Sequence, residues 1–198
     1  DRLAELGYPT KRYERFTKRA LAFRERVTSP KACLAVTAAL EHFTATLAEL
    51  VLSSEETREL IGDPAVQNLF IWHALEESEH KAVAFDVYRA VGGSERTRVW
   101  TMNSIRVGFV VGMSVQIVLS MLGDKATYRR GVLGRSWRTF KKSPLANKEL
   151  WAKLADYNRP DFHPDDFDTT ELEARWRTEL FGDAGSLNDQ LVTAKSAA

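Results

Sequence analysis

The stretch "WHALEESEHKAVAFDVY", residues 72–88, belongs to a segment of helical hydrophobic period that decides the fold. Asp63 before Pro64 is typical of a helix start, and the pair Gly92 and Gly93 is typical of a helix end. The pattern therefore predicts one helix over residues 64–91. No run of residues alternates apolar and polar as a half-buried strand does, so the sequence predicts an all-α protein.

Three polar side chains share one stripe of this predicted helix. His73, Glu77 and His80 are spaced four and three residues apart, which places them side by side at about 100° per residue. Glu76 lies at the edge of the stripe. The other members of the stripe are apolar: Val66, Phe70, Ala84, Tyr88 and Val91. A carboxylate buried among such residues needs a cation or a proton, because an unpaired buried charge is strongly destabilising.

The preceding predicted helix, residues 30–51, also carries a carboxylate on an apolar face, that of Glu41. Ser29 is its expected N-cap, and Pro30 suits its first position. Glu41 projects among small and apolar residues, so we expect it to point inward, with Thr37 one turn earlier as a possible hydrogen-bond donor. His42 projects nearer the polar edge, and we expect it either at the surface or in contact with a metal ligand rather than with the metal itself.

One helix with Glu and a neighbour with Glu-x-x-His supply half of a carboxylate-bridged dinuclear site of the ferritin-like type. Carboxylates balance two cations, and neutral imidazole suits iron, manganese or zinc. The complete set needs four carboxylates and two histidines, of which Glu41, Glu77 and His80 are visible, with His73 as a possible extra. The same groups could instead form a metal-free polar network with Arg106 or Lys81.

Three strings of the sequence are distinctive: "AALEHFTATLAEL" (38–50), "WHALEESEHKAVAFDVY" (72–88) and "NRPDFHPDD" (158–166). Together they resemble the predicted metal-dependent hydrolase family, a set of helical bacterial proteins regarded as ferritin-like. The resemblance implies metal-ligand roles for Glu41, Glu77 and His80, with His73 and Glu76 as nearby candidates. The family carries further "GE" and "QExxH" motifs upstream, and neither occurs here. We therefore expect that an N-terminal segment with the remaining ligands is missing from this chain, or that another subunit supplies them.

The string around His163 has two interpretations. Its two flanking prolines could make a rigid loop that delivers His163 to the mouth of the site, and the resemblance implies that this motif is characteristic of the family. Alternatively, the segment is a proline-stiffened turn in which Asp166 or Asp168 caps the next helix.

The residues 107–122, "VGFVVGMSVQIVLSML", carry no charge within a predicted helix over 95–122. A buried central helix of the bundle is the simplest interpretation. The segment 125–142 that follows has seven basic and no acidic residues, with aromatic residues between them. That combination also suits peripheral contact with an anionic membrane. We expect one helical domain over residues 1–181 and a flexible tail over 182–198.

Composition bounds the possible functions. The net charge is +1, from 28 basic and 27 acidic residues, so no global field favours nucleic acid as a partner. The single cysteine, Cys33, excludes an intrachain disulfide and fits a cytoplasmic protein, with membrane association as the alternative.

The residue pattern predicts a site for a divalent metal, iron before manganese or zinc, and the resemblance implies a metal-dependent hydrolase. A dioxygen-dependent diiron oxidase acting on a small hydrophobic substrate is the first alternative, and a non-catalytic, membrane-associated interaction protein is the second. Self-association into a homo-oligomer is also compatible with the sequence.

Overall fold

The computed structural model describes residue 5 and residues 10–188 and confirms the all-α prediction, since no residue in these ranges forms a strand. Short 3-10 turns lie at Lys125–Tyr128, Pro144–Ala146 and Pro164–Asp166. The helices are α1 (Thr10–Val27), α2 (Pro30–Ser53), α3 (Glu55–Glu59), α4 (Pro64–Glu79), α5 (Val83–Ala90), α6 (Glu95–Gly123), α7 (Val132–Lys142), α8 (Lys148–Asp156) and α9 (Thr170–Phe181).

The helix α2 is the centre of the bundle, and it packs against α4, α5, α6 and α8. Its start is as predicted: the Ser29 hydroxyl accepts from the Ala32 N–H, and Pro30 occupies the first turn. Small side chains line its contacts. The buried alanines of α2 are Ala35, Ala38, Ala39, Ala45 and Ala48. Because these side chains are short, neighbouring helices can approach the α2 backbone closely.

The predicted single helix over 64–91 is wrong at residues 80–82. Helix α4 ends at Glu79, His80 caps it, and α5 starts at Val83. Lys81 lies in the break and donates to the Phe167 carbonyl oxygen at 2.5 Å and to the Thr169 hydroxyl at 2.8 Å. These bonds hold the break against the segment that leads into α9. The predicted stop at the glycine pair is confirmed, with Gly92 at φ +72°.

The buried face of α4 is not the predicted stripe. Its buried residues are Ile71, Ala74, Leu75 and Ser78. Of the predicted stripe, Val66 and Phe70 are 42% and 50% exposed, and His73 is exposed as well. The expectation of a fully apolar setting for His73 is therefore wrong, and the stripe forms a partly open face between α2 and α4.

The prediction of α6 as a buried central helix holds only for its first half. Arg98, Thr101 and Met102 are buried, whereas every residue from 110 to 120 is exposed. By length and composition alone, α2 and α6 are the described helices that are long and apolar enough to cross a membrane. For α2, 44% of the most apolar window is buried, as expected of a core helix, but none of that window is buried in α6.

The predicted flexible tail starts too early. Leu187 is buried with Trp176 and Leu180 of α9, and its N–H donates to the Leu180 carbonyl oxygen at 3.0 Å. The segment is therefore part of the fold as far as residue 188. The remainder of the predicted tail, 189–198, lies outside the described residues.

Arg98 connects the start of α6 to the end of α8. Its side chain is 1% exposed and lies over the Tyr157 ring at 5.0 Å. The guanidinium donates to the carbonyl oxygens of Tyr157 and Arg159 and to Glu95 Oε2 at 2.6 Å. Burial lowers the pKa of Arg98. Five planar donors suit this arrangement of two carbonyl groups and one carboxylate, which a lysine cannot reproduce.

We expect Arg98→Met to lower the free energy of unfolding by on the order of 3 kcal/mol, because it leaves buried carbonyl oxygens without donors. Arg98→Lys should recover less than half of this loss. Arg96→Met is the matched control, since Arg96 is exposed on the same helix. Urea unfolding followed by circular dichroism measures all three variants, and equal stability of the Arg96 and Arg98 variants would contradict the role of Arg98.

Candidate metal centre

Helices α2 and α4 bring Glu41, Glu77 and His80 together, as the sequence predicts. Each residue offers one ligand atom, and these three atoms lie within 4.8 Å of one another. His80 Nδ1 is 3.2 Å from Glu41 Oε2. Rotations that move these atoms by under about an ångström would bring all three onto one cation, whose bonds to oxygen and nitrogen are about 2 Å long. Two carboxylates and an imidazole are a donor set suited to iron, manganese or zinc.

The two carboxylates are partly enclosed. The side chain of Glu77 is 17% exposed and that of Glu41 is 28% exposed, whereas His80 is 47% exposed. Thr44 donates its hydroxyl to Glu77 Oε2 at 2.5 Å, and His73 Nε2 lies 3.4 Å from Glu77 Oε1. The Thr44 hydrogen bond therefore orients one oxygen of Glu77, and the exposed His73 imidazole lies near the other.

Thr44 is the residue of the site that the sequence interpretation missed. Thr37, the hydroxyl expected near Glu41, donates to the Cys33 carbonyl oxygen instead. Thr44 follows Glu41 by three residues on α2, so a search of both neighbouring turns for a hydroxyl would have found it.

No arginine or lysine pairs with Glu41 or Glu77 among the residues that the structure describes. The basic residues expected in a metal-free network lie elsewhere: Lys81 donates to Phe167 and Thr169, and Arg106 to Asn103 at 3.4 Å. Among the described residues, the only side chains near the two carboxylates that can carry positive charge are thus the imidazoles of His73 and His80. A cation at this point would supply the missing positive charge.

Three further predicted ligands, His73, Glu76 and His163, lie outside the group of three donor atoms. Glu76 is exposed on the neighbouring face of α4. His163 Nε2 lies 2.9 Å from Asp86 Oδ1 on α5, and His163 Nδ1 accepts from the Asp165 N–H at 3.2 Å. The Asp166 carboxylate accepts from the His163 N–H in return. His163 therefore caps the 3-10 turn Pro164–Asp166, in agreement with the turn interpretation.

His42 is not at the polar edge, and the expectation of a surface position is wrong. The side chain is buried beside Tyr157, Phe162 and Phe167, with ring centroids 4.9 to 6.2 Å away. His42 Nε2 lies 3.3 Å from the Lys153 carbonyl oxygen. Burial lowers the pKa of His42 to about 4, against the opposing effects of the Lys153 carbonyl contact and the charge of Asp156; the positive charges of Lys81 and Arg98 lower it slightly further. His42 is thus a neutral core residue that holds α8 against α2.

An apolar groove opens beside the cluster. It has a volume of about 310 Å³ between α2, α3 and α4. Its polar lining is Thr44, Thr57, His73 and Glu77, and its apolar lining is Leu47, Ala48, Leu50, Val51, Phe70 and Ala74. Glu77 therefore belongs to both the cluster and the groove, and His73 lines the groove beside it.

The two carboxylates and the imidazole on adjacent helices of this all-α bundle form a possible three-residue metal site. A family model described as "Predicted metal-dependent hydrolase" matches residues 1–168. The chain belongs to this family. A comparison with curated proteins gave no match, and a comparison with solved structures gave none either.

The buried neutral His42 predicts a pH-dependent stability. Its pKa is about 4 in the folded state and about 6.5 in the unfolded chain. The unfolded state therefore binds more protons between these values, and stability falls as the pH falls from about 6.5 to 4, by on the order of 3 kcal/mol from His42 alone.

His42→Phe removes this titration while keeping a ring in the same space. Urea unfolding of both proteins at several pH values between 7.5 and 4 gives the comparison, and the difference between the two curves isolates His42 from other titrating groups. Parallel curves over this range would contradict the burial of a neutral imidazole.

Proposed function

We propose that Glu41, Glu77 and one ring nitrogen of His80 hold a divalent cation at which this chain hydrolyses its substrate. The observation that carries the proposal is the approach of three donor atoms to within 4.8 Å, with no arginine or lysine partner for the two carboxylates in the described part of the chain. Membership of a family described as metal-dependent supports it further. All three groups lie on or at the end of packed helices, which limits their movement.

When bound, a divalent cation supplies Lewis-acid activation of water and of the scissile carbonyl. The residues of the chain orient the donors. Thr44 fixes one oxygen of Glu77, and His73 approaches the other. His73 stands outside the group of three donor atoms, so we assign it to the orientation of Glu77 and to hydrogen bonding in the groove.

The finer prediction of a dinuclear, ferritin-like iron centre requires more ligands. Within the described residues, the three donors are sufficient for one cation, and a second cation would need further carboxylates. We therefore propose one cation at these three groups. The measured ratio of metal to protein distinguishes one cation from two.

The groove supports a substrate with an apolar portion. Six of its ten lining residues are Leu, Ala, Val or Phe, and Phe70 is half exposed at its edge. An acyl chain lying there would place a carbonyl near Glu77. The alternative, a dioxygen-dependent diiron oxidase, would use the same groove but needs two irons; a visible absorption band that responds to oxygen would favour it over hydrolysis.

Protein purified without chelator should contain about one equivalent of iron, manganese or zinc by elemental analysis. We expect Glu77→Gln and Glu41→Gln to lower metal affinity by at least about tenfold, because each removes an anionic ligand. Glu79→Gln is the matched control on α4, since Glu79 pairs with Arg177 at the surface and should keep the metal. Equal metal content in all variants, with the fold intact, would refute the site.

The groove predicts a preference for longer acyl chains. With p-nitrophenyl esters of increasing chain length, kcat/KM should rise until the groove is filled. Phe70→Ser should lower kcat/KM by about tenfold for long esters and little for acetate, because one lost apolar contact is worth about 1 to 3 kcal/mol. Leu60→Ser, at a comparably exposed position outside the groove, is the control. A uniform loss at all chain lengths would argue against this groove as the acyl site.

A further inference from the structure

Residues 110–144, here called the hairpin, leave the bundle and return to it. No described residue between 103 and 149 is buried, and all residues from 110 to 120 are exposed. The hairpin consists of the second half of α6, a 3-10 turn, α7 and a second 3-10 turn. It is therefore an extension of the bundle rather than part of its core.

Aromatic contacts close the base of the hairpin. Phe109 packs against Phe43 of α2 and Trp151 of α8, with ring centroids 5.0 and 6.4 Å apart. Leu150 and Leu154 of α8 are buried immediately after the chain returns. Both ends of the hairpin thus lie at the same end of the bundle.

The outgoing half of the hairpin is apolar over most of its circumference. At about 100° per residue, the apolar side chains cover an arc of about 240°. They are Val110, Val111, Met113, Val115, Ile117, Val118, Leu119 and Leu122, and all are at least 38% exposed. The remaining sector holds Gly112, Gln116 and Ser120, and Ser114 is the one polar side chain inside the apolar arc. One partner helix buries a stripe of about 100°, so a surrounding apolar solvent covers this helix better than a single protein partner does.

The returning half carries the complementary charge for an anionic surface. Residues 125–142 contain seven basic and no acidic residues. Exposed aromatic rings lie among them: Tyr128, Trp137 and Phe140. Aromatic rings beside lysine and arginine are typical of the level of lipid headgroups.

The chain path argues against a full crossing. Although α6 as a whole has the length and composition of a membrane-crossing helix, its uncharged part after Arg106, residues 107–123, spans about 25 Å at 1.5 Å per residue, less than the roughly 30 Å of the hydrocarbon core. The return to α8 would also carry seven basic side chains through that core. The hairpin therefore suits insertion from one side.

We propose that the hairpin binds the surface of a bilayer that contains anionic phospholipid. The apolar part of α6 enters the near leaflet, and the basic residues of 125–142 contact the headgroups of the same leaflet. This binding does not depend on the metal centre, so either proposal can fail without the other.

The whole chain should pellet with vesicles of phosphatidylcholine and phosphatidylserine, and much less with phosphatidylcholine alone. We expect Arg135→Gln and Arg138→Gln to weaken binding roughly fivefold each, and high salt to weaken it further. Val118→Glu combined with Leu119→Glu should abolish binding. Leu60→Glu, the same change at an exposed apolar position outside the hairpin, should bind normally. Circular dichroism verifies that each variant keeps its fold.

Three outcomes would overturn the proposal. The first is no pelleting with anionic vesicles, and the second is equal pelleting with neutral and anionic vesicles at all salt concentrations. The third is a dimer in solution that Val118→Glu dissociates, when neither the dimer nor the monomer binds vesicles. The hairpin would then be an interface between two copies of the chain.

The one-sided arrangement has its own test. In a Cys33→Ser background, Trp137→Cys should react with a membrane-impermeant maleimide added outside preformed vesicles. Protection of that cysteine until the vesicles are lysed would show that the hairpin crosses the bilayer, contrary to the proposal.

Discussion

The close approach of neighbouring helices to α2 is the constraint on which the rest of the structure depends. Five buried alanines on α2 remove side-chain bulk from its contacts with α4, α5, α6 and α8. Glu41 therefore lies near enough to α4 for its carboxylate to reach His80, and Thr44 reaches Glu77. Larger residues on this face would separate the two helices. The packing of the core and the geometry of the three donor groups thus have one physical cause.

Much of the fold follows from local signals in the sequence. Ser29, Pro30, Asp63 and Pro64 mark helix starts, and the glycine pair marks an end, because these residues satisfy terminal hydrogen bonds or adopt the required φ. The break at His80 has no such signal, since neither proline nor glycine lies in residues 80–82. Its contacts are tertiary: Lys81 bonds to a segment more than eighty residues later. The local sequence around residues 80–82 does not reveal these tertiary contacts.

In the candidate site, too, local sequence patterns predict some features, whereas others depend on tertiary contacts. The residue types and spacing on two helices predict the group of Glu41, Glu77 and His80, and the structure brings these three together. Helical projection alone misplaced His42, because the aromatic residues that enclose it come from the distant segment 157–167. It also misjudged α6, since an apolar helix has the same sequence pattern whether protein or another apolar medium surrounds it. The ligand role of the three residues stays a prediction.

The break after Glu79 also changes the electrostatic field at the group of Glu41, Glu77 and His80. An α-helix carries the equivalent of roughly half a negative charge at its C-terminus, where the last carbonyl groups point outward. In one continuous helix over 64–91 that end would lie well beyond His80. Because α4 ends at Glu79 and His80 caps it, the negative end of its dipole lies beside Glu77 and His80. The N-terminus of α5 at Val83, which carries the opposite partial charge, begins only four residues later, so the break places two opposed helix ends next to the cluster in place of an uninterrupted helix.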